Sequence, residues 1–540
     1  MPTSSLVPIQ GKSSVAPRPR RRILRWVLAS LLILCLIAAI ALSIAVRHAE
    51  PILRARVIET LSTHFKSKVE LDDFHVSLLD GLQVSGNGLR IFGKTDPNSH
   101  EPGVQPIIGV LEFRFHAGIW DLFRTPMHVN TVYLKGLQLN IPPKEQRSEM
   151  KPFKPAGGKI KIVVDHLISD TAQLVINTQK PGKLPLVFAI QRLRLTRIGS
   201  DQPMHFEADL VNPKPIGKIH SSGNFGPWNP DDPRETPVKG DYSFRDADLS
   251  TIKGIGGILS STGRYVGALD RIVVDGTTDT PDFRIAIGGT RVPLHTDFHA
   301  TVDGTSGDTY LQPVRAKLLN TPILATGAVV RTTSPPGHHV TLDVKIDKGK
   351  IEDLLKLALK RNPPMMTGAV QLNTRFDLPP GEPDLAMRLN LAGDFRISTT
   401  HFNDPTIQAK VDSLSMRAQG KPKLATDNIP DNMPSDLGGT FKLDEGLLSF
   451  SRLDYEVPGA RVDLVGQYNL QGNDFDFHGK ARMDAKLSHM VGGWKSILLK
   501  PVDPFFSKNG AGTEVPVKIV GTKTDMHFGT DFHHKDKTSD

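Results

Sequence analysis

Few residues in this chain of 540 have the type and spacing that chemistry needs. Ser148-Glu149-Met150-Lys151 has the spacing of a serine nucleophile and its lysine, but it stands in a charged, proline-rich stretch without the companion motifs. His338-His339 and His533-His534 could ligate a metal. Adjacent residues of a strand point to opposite faces, and the second pair lies in a polar tail, so solvated side chains are the simpler reading. Gly254-Ile255-Gly256 opens like a dinucleotide-binding turn. Leu259 stands where the third glycine belongs, and no alternating strand–helix units surround it. Asp275, Asp279, Asp303 and Asp308 fall at turn-like positions, where making the turn is the default role. The sequence holds no HExxH, GxSxG or GxxxxGK[ST]. The expectation is a protein that is not an enzyme and uses no metal or cofactor.

What remains is apolar and regularly spaced. Leu137, Leu139 and Ile141 alternate with polar residues. Val340, Leu342, Val344 and Ile346 do the same. Phe283, Ile285 and Ile287 alternate with Arg284 and Ala286, and Leu385, Met387, Leu389 and Leu391 with Ala386, Arg388 and Asn390, which makes eleven apolar positions beyond residues 137–141. Strict alternation gives a strand one apolar and one wet face, the mark of antiparallel sheet. The chemistry open to such a face is passive. Acyl chains laid along it would gain about 0.8 kcal/mol per buried methylene, so those eleven apolar positions are the candidate lipid lining. Trp494, Phe505 and Phe506 are either core filler or contacts to membrane or partner.

These strands need turns, and Asp80-Gly81, Asp275-Gly276, Asp303-Gly304, Gly307-Asp308 and Gly472-Asn473 supply the chemistry for them. VDGT occurs at 274–277 and again at 302–305, a weak echo of a repeating hairpin. Pro142–Lys159 and Gln419–Gly439 read as linkers or long loops, and Asn212–Gly240, with Trp228, as irregular. Helical spacing appears after Pro51, over 351–361 and over 485–500. The first of these helices could lie in a lipid interface or cap the start of a sheet. On the order of 25 strands in one sheet would extend roughly 120 Å at about 4.8 Å per strand. Such a sheet must become a sandwich, a barrel or a trough to cover its apolar face.

Residues 26–46 carry no charge, a length that as one helix spans roughly 30 Å. Arg18, Arg20, Arg21, Arg22 and Arg25 precede them, which by the positive-inside rule predicts a cytoplasmic N-terminus. A cleaved signal peptide is the rival reading; the apolar run is long for one. Seven of the nine net positive charges lie before His48, so the basic balance is a topology signal rather than a nucleic-acid footprint. The single cysteine, Cys35, lies inside this run, and the rest of the chain can form no disulfide.

The sequence resembles the AsmA family of bacterial envelope proteins, whose relatives include TamB. Three stretches carry the likeness: ARVIETLSTHFKSKVELDDFHVSLLDGLQVSGNGLRI after the apolar run, the middle from VDGTTDTPDFRIAIGG to LATGAVV, and the closing segment from DFDFHGKARM to VPVKIVGT. The resemblance implies a mainly β protein with one N-terminal transmembrane helix, an elongated curled antiparallel sheet forming a groove, and a few short amphipathic helices. It also implies a single-pass inner-membrane anchor, a periplasmic bulk, and lipid binding or conduction between inner and outer membranes. The expected organisation is a basic tail (1–22), a membrane helix (23–46), a helix-plus-strands module (47–145), a linker (146–158), a β-groove (159–483) and a closing helix with strands (484–540). The expected partners are phospholipid, the inner membrane and an outer-membrane or periplasmic protein, with no nucleic acid. The alternative function is a scaffold that assists outer-membrane protein assembly through exposed sheet edges.

Overall fold

The protein is described by a computed structural model covering residues 20–65, 67–77, 82–92, 106–117, 127–141, 162–177, 185–198, 202–227, 233–252, 254–285, 288–381, 384–422, 433–490, 500, 512–522 and 525–530. The first described element is helix α1 (Arg20–Phe65), which runs through Pro51 without a break. The stretch after Pro51 is therefore not a separate helix; one proline removes one intrahelical hydrogen bond, and the good helix formers on both sides carry the helix through.

The expected membrane anchor is not upheld. Among the described residues no helix is long and apolar enough to cross a membrane. Towards its C-terminal end α1 carries Glu50, Arg54, Arg56 and Glu59. The single-pass inner-membrane topology, the periplasmic placement inferred from it, and the membrane-anchored function fall with the span.

Strand follows. The first group is β1 (Val69–Glu70), β2 (Asp73–Ser77), β3 (Leu82–Ile91), β4 (Ile108–Ala117), β5 (Met127–Lys135), β6 (Leu137–Ile141), β7 (Ile162–Ser169), β8 (Ala172–Ile176) and β9 (Leu186–Ile198). The middle group is β10 (Met204–Pro213), β11 (Ile216–Phe225), β12 (Pro237–Asp248), β13 (Ile255–Gly256), β14 (Ile258–Ala268), β15 (Arg271–Ile285), β16 (Gly288–Asp303), β17 (Asp308–Leu318), β18 (Thr321–Thr333) and β19 (Pro336–Lys350). The last group is β20 (Met366–Leu378), β21 (Asn390–Phe402), β22 (Ser435–Asp444), β23 (Leu447–Val457), β24 (Ala460–Asn469), β25 (Asp474–Met483), β26 (Thr513–Thr522) and β27 (Asp525–Thr530).

All 27 strands belong to one sheet. Four pairs of short strands share a position (β1 with β2, β5 with β6, β7 with β8, β13 with β14), so 23 strand positions lie side by side. From β9 onward the sheet is a meander in which strands pair with their neighbours in sequence. Pairing is antiparallel throughout except for β5 with β7 and β6 with β8. At about 4.8 Å per position the sheet spans roughly 110 Å along its surface. Among the described residues β27 pairs only with β26, and β1 and β2 only with β3, so the sheet does not close on itself as a barrel.

The two ends differ. At the first, Leu53, Val57 and Ile58 of α1 pack on a core that includes Phe74, Val84, Phe113 and Val129. Arg54 Nη2 donates to the carbonyl of Leu71 at 2.5 Å. The amphipathic end of α1 thus caps the first strands. Further on, helix α2 (Ile351–Ala358) lays Ile351 and Leu354 against Ile346, Val370 and Ile397. Helical turn α3 (Leu385–Arg388) interrupts the connection between β20 and β21. Helix α4 (Pro405–Ala418) packs Val411 against Val457 and Ala460.

Several expectations are corrected. Residues 212–240 hold the end of β10, all of β11 and the start of β12, while Trp228 lies outside the described residues. Strand β22 begins at Ser435, inside the expected linker 419–439, whose residues 423–432 are not described. Gly276 lies within β15 and makes no turn. The C-terminal helical stretch shows a 3-10 turn at Leu487–His489, and Trp494, Phe505, Phe506, Ser148, Lys151 and His533-His534 lie outside the described residues.

Candidate functional site

Register turns the alternation of single strands into a surface. Residues directly opposite one another form rows that cross the whole sheet. One row starts at Val76 and passes through Val84, Phe115, Val132, Leu167, Leu195 and Phe206. It crosses Gly223 and Gly240 to Tyr265, Val274, Ala300, Leu311 and Gly327. It ends through Leu342, Phe376, Leu391, Leu443, Leu448, Tyr468, Phe475, Gly521 and Met526.

A second row lies two residues along each strand, or three at the irregularity between Leu311 and Val314. It runs from Phe74, Gly86, Phe113 and Leu134 through Ser169, Leu193, Ala208, Ser221, Tyr242, Gly263 and Gly276. It continues through Phe298, Val314, Ala325, Val344, Thr374 and Gly393 to Phe441, Phe450, Gly466, Phe477, Ile519 and Phe528. Neither row contains an Asp, Glu, Lys, Arg or His. A charge would be costly there once the face is covered.

This face is concave. Along β14, Leu259, Ser261, Gly263 and Tyr265 are the less exposed residues, and Ile258, Ser260, Thr262, Arg264 and Val266 the exposed ones. The rows change character along the sheet. At the first strands they are filled core, with Val84 2% exposed. In the last third phenylalanines touch in sequence: Phe395 with Phe441 (6.1 Å between ring centroids), Phe395 with Phe450 (6.4 Å) and Phe450 with Phe477 (5.9 Å). Between them lies a hydroxyl-bearing section. Ser221 Oγ donates to the Asp241 carbonyl at 3.0 Å, and Ser261 Oγ to the Thr277 carbonyl at 2.9 Å. Each serine has one proton, so Tyr265 donates to Ser221 (2.7 Å) and Tyr242 to Ser261 (3.1 Å). Burial pushes both tyrosines above the usual phenol range, so they stay neutral.

The convex face holds the charge. Arg192 stands 3.8 Å from Asp209 and Arg194 3.6 Å from Glu207. Imidazole–carboxylate pairs join neighbouring strands: His220 with Asp209, His295 with Asp279 and His299 with Asp275, each at 2.7 Å, and His339 with Asp377 at 2.5 Å. Asp275 and Asp279 thus serve the sheet, not turns. Asp303 does make its turn, accepting from the backbone N–H groups of Thr305 (2.8 Å) and Ser306 (3.3 Å). Among the described residues no group of three or more His, Cys, Asp or Glu could hold a metal.

Of the lining candidates, Leu342 and Leu391 lie in the first row, Val344 in the second, and Ile346 and Val340 on the same face either side. Phe283 pairs with Val292, and Ile285 with Ile255 and Gly288, at the far end of β15. Leu385 and Met387 belong to α3 and Leu389 follows it, so these three stand outside the ladder; the prolines before them and Asp384 favour a helical turn over strand. Ile287 is outside the described residues. Sequence reasoning missed the phenylalanine series and the two tyrosines, although Phe475-Asp476-Phe477 shows the same alternation. Comparison with protein-family models, with curated proteins and with solved structures gives no match.

Proposed function

We propose that this chain is a non-catalytic scaffold that receives extended, one-sided β-segments of another polypeptide, as an aid to outer-membrane protein assembly would. One observation carries the reading: the two uncharged rows run uninterrupted to β27, which pairs on one side only among the described residues, while the opposite end is capped by α1. A strand of alternating apolar and polar residues would add to β27 through main-chain hydrogen bonds and lay its apolar side chains in line with the rows. Kinship with the AsmA family is part of the proposal, supported by the long one-sided sheet and the three stretches of likeness.

The test is dilution of a denatured outer-membrane β-barrel polypeptide into the full chain carrying a photo-crosslinking residue at Gly529 of β27. Suppressed aggregation with cross-links from Gly529 is the expected result. Aggregation as in buffer, with no cross-link, overturns the reading. The phenylalanine series favours a second reading of the same face, that it holds the acyl chains of phospholipid; transport between membranes is no part of it. Phospholipid recovered by solvent extraction of the purified chain, and lost in Leu342→Asp, supports that reading; lipid-free protein overturns it.

A further inference from the structure

Gly254, in the connection between β12 and β13, lies against Leu385 of α3. A Cβ built on Gly254 would stand 2.9 Å from Leu385 Cδ2 and 3.3 Å from its Cβ. The two belong to opposite long edges of the sheet. Gly254 follows the end of β12 where α2 also lies, and Leu385 follows the other end of β20. β13 shares the position of β14, six positions before β20, so on a flat sheet the two would be roughly 29 Å apart across the strands and a further strand length, roughly 35 Å, apart along them. Their contact means that the sheet has curled around until one edge meets the other. It meets by side-chain contact alone, since β13 pairs with β15 and β21 with β20 and β22. On the Gly254 edge itself, Thr290 Oγ1 of β16 donates to the carbonyl of Lys356 in α2 at 3.1 Å.

We propose that the Leu385–Gly254 contact is a seam through which an extended apolar segment enters the middle of the trough sideways. The inference rests on the reading that the concave face takes such a segment. Hydrogen-bonded strands on both sides resist opening, whereas a seam of one leucine on one glycine loses little when it parts. The anchors of α3 are of the same light kind: Gln471 Nε2 reaches Met387 Sδ at 2.9 Å, and Arg388 Nη1 donates to the Pro379 carbonyl at 2.9 Å.

The geometry provides the test. The 3.3 Å between Cβ positions is near the roughly 3.8 Å of a disulfide. The full chain with Cys35→Ser, Gly254→Cys and Leu385→Cys is examined oxidised and reduced, with stopped-flow uptake of the apolar fluorophore N-phenyl-1-naphthylamine as readout. Oxidation is expected to slow uptake at least about ten-fold, and dithiothreitol to restore it. Gly254 has φ +99°, which cysteine adopts reluctantly, so Leu385→Ala is measured beside it and is expected to speed uptake. Equal rates in oxidised, reduced and Leu385→Ala forms overturn the seam alone. A parent chain that takes up no fluorophore overturns the reading of the trough and the seam with it.

Discussion

The side chain of Tyr242 lies over Gly276, one strand position beyond the Gly263 that it faces directly. A Cβ on Gly276 would stand 2.7 Å from the tyrosine hydroxyl and 2.8 Å from Phe298 Cζ. The glycine is there because the ring needs its space. Gly276→Val is therefore expected to overpack this spot and cost about 1–3 kcal/mol. Urea unfolding of the two chains side by side measures it, and an unchanged midpoint would show that Tyr242 moves aside freely.

Leu342 stands in the first uncharged row, half-buried, with Gly327 and Phe376 opposite. Leu342→Asp places a carboxylate where an apolar occupant would lie. The sheet is expected to survive, because the site is open to water when empty. Far-ultraviolet circular dichroism should match the parent while fluorophore affinity falls at least about ten-fold. Undiminished affinity would place the occupant elsewhere.

Asp353, 2% exposed, holds the start of α2 to the turn before β18. Its Oδ2 accepts from Asn320 N at 3.0 Å and from Thr321 Oγ1 at 2.9 Å. Asp353→Ala leaves Asn320 N without its acceptor and Thr321 Oγ1 with only the Lys350 carbonyl at 3.4 Å, at an expected cost of about 1–2 kcal/mol. Hydrogen exchange should show α2 losing protection before the strands beneath it; uniform loss would contradict a local anchor.

His295 is held by a carboxylate on the neighbouring strand. Its hydrogen bond to Asp279 raises its pKa above the ordinary histidine value, helped by the charges of Asp279 and Asp297 and opposed by a little burial. Lys317 stands opposite on β17. A raised folded-state pKa means that the protonated pair stabilises the sheet below pH about 6.5, and that this contribution fades as pH rises through the folded value. The pair is exposed, so the effect is under about 1 kcal/mol. The difference in melting temperature between the parent and Asp279→Asn is expected to be larger at pH 6 than at pH 8, and a pH-independent difference would refute the assignment.

Period-two alternation made the faces of β6 and β19 legible, because a strand's period depends on local backbone geometry alone. Local pattern failed where distant contacts decide. Asp275-Gly276 has the composition of a turn, yet Tyr242, more than thirty residues earlier, occupies the space over it and His299 takes the aspartate. Leu385–Leu391 alternates, yet its first half is helical and reaches the far edge of the sheet. Helix α4 went unread although its start is well marked: Asp404 accepts from Thr406 N (2.9 Å) and Ile407 N (3.3 Å), with Pro405 in the first turn. The rows themselves were beyond a one-dimensional reading, since they need the register of every neighbouring pair.

From β9 to β27 the order in sequence is the order in space. A chain built this way behaves like a ruler. Inserting one hairpin would lengthen it by about 10 Å and leave both ends as they were, since no strand there pairs with a distant one. Length can thus drift by duplication or loss of hairpins without redesign of a core, and shear applied at one end is felt by each neighbour in turn.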